Sequence, residues 1–285
     1  MVKSDSPVAR IDKSSGLLSG CEASGEQMIA SAFRPNFWRA ATDNDRRGWK
    51  TEELLGVWKN PVVEKVSVSA SSEDNDAVVT SEISYAGNTI IYIRYRMAPD
   101  GSLDVACEIS IDENMPEPLR IGLQGQIDSR YGQVTYFGRG PWENYADRNA
   151  GVFLGTYKAS VEEMMTSYVY PQENGNRTDV RWFTLTDSKG RGIQVIGSKP
   201  LNMSVWNTTQ ESLDAARHIG EEEILDGSFV LNIDSVQTGV GGTDTWSIKA
   251  RPEVHHRLLE KHYTYSFTIR PVKDFKDAVN SARNR

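Results

Sequence analysis

The chain has 285 residues, 38% of them hydrophobic, which is enough to bury a sizeable core in one large domain. Its 32 Lys and Arg against 39 Asp and Glu leave a net charge of −7, which argues against nucleic acid and an anionic membrane surface as partners, since both demand concentrated cations. Cys21 and Cys107 form no CxxC and no metal-ligand spacing, so two free buried thiols are expected rather than a disulfide framework or a zinc site, and no apolar run approaches the roughly 18 residues of a membrane span.

In chain order, residues 1–10 read as a polar lead-in without a signal-peptide core, and 11–285 as a single domain. Residues 11–29 alternate small and apolar types, with Gly16, Gly20 and Gly25 as punctuation, as a turn-rich hairpin would. In FRPNFWRAATDNDRRGWK (33–50), Phe37 and Trp38 anchor a turn built on Asp43, Asn44, Asp45 and Gly48. Asx residues bond their own backbone in turns; a calcium loop would need a bidentate Glu at a spacing that does not occur here. Glu53, Leu54, Leu55 and Trp58 follow a capping-type Thr51, so a short helix is expected over 51–60.

From Pro61 onward a period of two takes over. Short strands are marked by Val62, Val66 and Val68, then by Val78, Val79, Ile83 and Tyr85. The clearest hairpin joins TIIYIRYRM to SLDVACEISI through Pro99, Asp100 and Gly101. Further strands are expected at 120–127, 133–138, 180–187, 192–197, 201–206, 228–235 and 263–269, and a second helix at 209–218. Many strands with turns at short intervals and one or two short helices specify an all-β chain, a large antiparallel β-sandwich. The stretch 136–182 reads as mostly irregular, rich in aromatic, charged, Gly and Pro residues, and loops so equipped usually carry function.

No GxSxG, HExxH, P-loop or dinucleotide fingerprint occurs. His255, His256 and His262 cluster near the C-terminus, but an adjacent pair on a strand would face opposite ways, so no metal site is expected from them. Glu143, Asp147, Glu162, Glu163 and Glu173 supply carboxylates for glycoside chemistry in principle. On spacing alone, structural ion pairs with Arg139, Arg148, Arg177 and Arg181 are the favoured reading.

Four segments, FRPNFWRAATDND, YFGRGPWENYADR, YVYPQENGNRTDVRW and GVGGTDTW followed by YSFTIRPV, resemble in order the C-terminal or small-chain domain of lactose-operon-type β-galactosidases of glycoside hydrolase family 2. The resemblance spans nearly the whole chain. It implies a supersandwich of the galactose-mutarotase-like type and retaining hydrolysis of terminal β-galactosides such as lactose, by two carboxylates about 5 Å apart. The family carries those carboxylates and its magnesium ligands in a separate barrel domain, whose acid motif is missing here. The resemblance therefore implies no catalytic residue and no cofactor in this chain, with magnesium and a monovalent cation serving a parent enzyme that assembles as a homo-oligomer. It also implies a soluble bacterial protein and leaves the compartment, cytoplasm or periplasm, open.

By the same resemblance, Trp246 reaches into the active site beside the sugar, with Asp244 and Gly242 expected beside it as substrate-binding residues, and Asp43, Asn44, Asp45 and Gly48 form a mobile loop at the site's edge with Gly48 as hinge. Ala41 stands where the family usually has Pro, and Arg46 and Arg47 intervene before Gly48. Glu173, Asn174 and Arg177 are expected to serve structure or an interface, with direct sugar contact as the lesser reading. An autonomous carbohydrate-binding or aldose-epimerase-like module is the alternative, distinguished by whether the isolated chain binds galactose.

Overall fold

The structure, a computed structural model, describes residues 8–23, 26–272 and 274–283. Gly25 and residues 1–7 of the expected lead-in lie outside the described residues. The strands are β1 (Val8–Ile11), β2 (Leu18–Ala23), β3 (Glu26–Gln27), β4 (Ile29–Asn36), β5 (Val63–Glu73), β6 (Asp76–Tyr85), β7 (Thr89–Met97) and β8 (Leu103–Ser110). They continue with β9 (Arg120–Asp128), β10 (Gln133–Gly140), β11 (Phe153–Ser160), β12 (Arg177–Thr186), β13 (Gly192–Trp206), β14 (Ser228–Gln237) and β15 (His262–Val272). Among the described residues the α-helices are short: α1 (Thr51–Leu55), α2 (Val161–Met164), α3 (Gln210–Ala215) and α4 (Phe275–Arg283).

All described strand pairs are antiparallel and join one network, in the order β1-β2-β4-β9-β14-β13-β15-β8-β7-β6-β5, with β12, β10 and β11 branching from β13 and β3 from β2. The sheet curls because β13 changes partner along its length. Gly192–Gly197 pair with β15, whereas Asn202–Trp206 pair with β14. What periodicity marks as two strands, 192–197 and 201–206, is thus one strand whose exposed Ser198, Lys199 and Pro200 carry the chain between neighbours.

Alternation along the strands sets which side chains enter the core. In β8, Leu103, Val105, Cys107 and Ile109 are buried while the intervening side chains are not, the pattern of a sheet with one wet face. Central strands such as β9 are buried nearly throughout, since elements cover both faces. Phe37 meets Trp58 at 4.9 Å and Tyr85 edge-on at 6.2 Å, so the aromatic anchor read from the sequence is packed into the main core. Both cysteines are free and buried.

Four local features differ from expectation. β1 begins at Val8, inside the expected lead-in: an edge strand whose burial alternates weakly reads as coil until β2 supplies its hydrogen bonds. The stretch 136–182 contains β11, whose exposed Phe153 and Leu154 break the two-residue pattern, and α2, which is closed by a reciprocal capping box between Ser160 and Glu163. The helix α4 follows the last strand. Residues 45–49 wind as a single π-type turn rather than an open loop.

Candidate functional site

Of the seven tryptophans, Trp38, Trp49, Trp58, Trp182 and Trp206 are buried, whereas Trp246 is 78% exposed and Trp142 73%. Trp246 stands at the tip of loop 238–250, and the sequence beneath it explains the loop's shape. Asp244 Oδ1 accepts from the backbone amides of Trp246 (3.2 Å) and Ser247 (2.9 Å), and its Oδ2 accepts from Ser247 Oγ (2.7 Å). This Asx turn holds the Asp244 carboxyl below its usual range, chiefly through the Ser247 hydroxyl. The Thr243 amide donates to the Lys249 carbonyl (2.8 Å) and closes the neck. At Gly242 a Cβ would fall 2.3 Å from the Ala250 carbonyl oxygen, so only glycine lets the two stems touch.

The base of the loop is gripped from two sides. Arg39, fully buried, sends its guanidinium to the carbonyls of Thr238 (3.0 Å) and Gly239 (3.0 Å) and to the carboxylate of Asp45 (2.8 and 2.9 Å). Asp147 accepts from the amides of Val240 (3.1 Å) and Gly241 (2.7 Å). One charge thus meets carbonyls and the opposite charge meets amides along four consecutive residues, each satisfying groups that the irregular backbone leaves free.

The 42–49 loop packs against the same stem. Asn44 Nδ2 donates to the Ala250 carbonyl (3.2 Å), and the Asp43 amide donates to Gln172 Oε1 (3.2 Å). Two residues of this loop are packed inside. Asp45 is 1% exposed and neutralised by Arg39, so it serves the scaffold. Gly48 is buried, and a Cβ there would lie 2.3 Å from Ala250 Cβ and 2.4 Å from the Ser247 carbonyl, so glycine permits the close packing of the two loops. Asp43 and Asn44 are half-buried at the edge.

The central segment knits these loops together. Glu143 accepts from Arg148, from the Tyr168 hydroxyl and from the Gly175 amide. Asn144 holds both the amide and the hydroxyl of Thr178. Only the Glu143–Arg148 pair joins the carboxylates and arginines expected to meet: Arg139 pairs with Asp179, and Asp147 meets amides rather than an arginine. Arg177, 3% exposed, donates to the Tyr136 hydroxyl and to the Met164, Gly175 and Asn176 carbonyls, so its guanidinium ties the end of α2 to the turn before β12.

Glu173 and Asn174 are each 2% exposed, which with the burial of Arg177 corrects the lesser reading of direct sugar contact: none of the three reaches the surface of this chain. Asn174 instead caps the Thr166 amide (3.2 Å). Glu173 enters a buried cluster that no local pattern in the sequence marks, because its members lie far apart in the chain. Arg120 donates to Glu173 (2.9 Å) and lies 3.1 Å from Asp234, at an angle that makes no hydrogen bond with it. Burial raises the carboxyls of both Glu173 and Asp234, the latter to about 7, against the pull of Arg120.

His255 and His256 sit in a single 3₁₀ turn with ring centroids 4.0 Å apart rather than on a strand. Among the described residues no three His, Cys, Asp or Glu side chains gather to hold a metal ion, and no helix is long and apolar enough to cross a membrane.

The curled antiparallel sheet is of the galactose-mutarotase-like class. A solved galactose 1-epimerase from Lactobacillus acidophilus matches it with a TM-score of 0.50 over 95% of this chain and 93% of that one, at 10% identity, a likeness of fold alone. The chain belongs to the family described as Beta galactosidase small chain, whose profile matches residues 3–269. It is 33% identical over 267 residues to a β-galactosidase of Priestia megaterium (93% of this chain, 26% of the relative) and 29% identical over 275 residues to one of Vibrio cholerae (92% and 26%). The chain therefore spans about a quarter of the length of the curated relatives it matches.

Proposed function

We propose that this chain acts as the C-terminal or small-chain domain of a retaining β-galactosidase cleaving terminal β-galactosides of the lactose type, and that Trp246 completes the wall of the sugar pocket. The general acid, the nucleophile and the magnesium and monovalent cation sites would belong to a partner barrel domain of the same enzyme, which would assemble as a homo-oligomer. The observation that carries the role of Trp246 is its 78% exposure on a loop fastened at tip, neck and base. An exposed indole on a rigid mount is costly to leave in water and suited to the apolar C–H face of a pyranose. Binding energy gained there, remote from the reacting bond, holds the sugar for chemistry performed by others.

The test is Trp246→Ala in the full enzyme. The Michaelis constant for a galactoside should rise while Trp246→Phe retains most affinity; an unchanged Michaelis constant in the alanine variant removes this reading of the site.

A further inference from the structure

We propose that Asp147 is a positioning residue for Trp246, setting the direction of the loop through its backbone; the inference rests on the pocket-wall reading above. The Trp246 ring is exposed, so its direction is set by the backbone of the loop, which the Asx turn of Asp244 fixes at the tip and the stem carries below it. On that stem, Val240 and Gly241 turn consecutive amides toward one carboxylate, the arrangement of a backbone nest, here filled by a side chain of the same chain.

The glycines of the stem are shaped around that carboxylate. A Cβ at Gly239 would fall 2.3 Å from Asp147 Oδ2, and one at Gly241 3.1 Å from it. The GVGG sequence thereby admits the acid, which explains two of its glycines by contact rather than by turn geometry. Asp147 is itself held in place: Tyr145 and Arg148 exchange backbone hydrogen bonds on either side of it (3.3 and 2.9 Å), and the Tyr145 ring is buried. From the opposite side Arg39 fixes the carbonyls of Thr238 and Gly239. With carbonyls and amides both committed, the peptide planes of 238–241 cannot rotate without breaking a charge-assisted bond, and the chain leaves Gly241 in one direction.

Asparagine at position 147 would keep one acceptor but turn its amide hydrogens toward the second backbone N–H, so one bond is lost and a donor opposes a donor. In the full enzyme, Asp147→Asn is expected to raise the Michaelis constant for a galactoside about tenfold with kcat changed less than about twofold. The double variant with Trp246→Ala should be no worse than Trp246→Ala alone, since a mis-aimed ring and a missing ring are the same defect. Should Asp147→Asn fail to accumulate, Asp147→Glu, which keeps the charge but overreaches the nest, carries the same comparison. A rise in Trp246→Ala with none in Asp147→Asn defeats the role of Asp147 alone. Additive effects of the two, or a fall in kcat that tracks a lowered melting temperature, show general structural support and defeat it as well. No change in Trp246→Ala removes the pocket-wall reading, and this inference with it.

Discussion

Asp234 of β14 lies so close over its cross-strand partner Gly122 that a Cβ there would sit 1.8 Å from its Oδ1, and this crowding keeps water from a fully buried carboxyl. Its pKa, raised from 3.8 to about 7, means that the folded state holds a proton that the unfolded chain gives up. Below the unfolded value both states are protonated and nothing is lost; as pH rises through the folded value the cost of the ionised form is reached in full. Thermal melts between about pH 4 and pH 7 should therefore show stability falling with pH, and Asp234→Asn should flatten that slope, gaining on the parent as pH increases. An equal slope in both proteins would place the buried proton elsewhere, with Glu173 the next candidate. Trp246→Ala belongs at the same scale with the opposite signature: the ring is exposed, so the melting free energy should move by less than about 0.5 kcal/mol even where sugar affinity falls.

At the scale of elements, the two loops that the family resemblance singled out prove to be one assembly. Loop 42–49 contributes Asp45 to Arg39, Arg39 grips the stem of loop 238–250, and Gly48 gives Ala250 room to approach. Arg39→Ala would leave Asp45 buried without its cation and is expected to cost about 3–5 kcal/mol, measured by denaturant unfolding, with both loops loosened together in hydrogen exchange. Gly242→Ala should act more locally. Forcing a methyl against the Ala250 carbonyl costs about 1–3 kcal/mol and displaces the tip, so the Michaelis constant should rise with a modest loss in melting temperature. The capping box of α2 is independent of this assembly, and Ser160→Ala should cost about 1 kcal/mol without touching sugar affinity.

At the scale of the molecule, a chain that matches about a quarter of its β-galactosidase relatives is expected to hydrolyse no galactoside by itself and to restore activity when joined to the remainder. Hydrolysis of a chromogenic galactoside by the purified chain would refute this, and millimolar binding of galactose by the chain alone, measured by calorimetry, would favour the autonomous binding module instead. The sequence alone determined the β class, the hairpin of β7 and β8 and the aromatic anchor at Phe37 and Trp38, because periodicity and turn chemistry are local; the glycine-rich loop that carries Trp246 was legible only through the family resemblance of its motif. The partner change along β13, the edge strands β1 and β11, the nest occupied by Asp147, the burial of Asp45, Glu173 and Arg177, and the pairing of Arg120 with Glu173 depended on the tertiary structure. Each joins residues distant along the chain, and whether a charge faces solvent or interior is decided by what the rest of the chain lays over it.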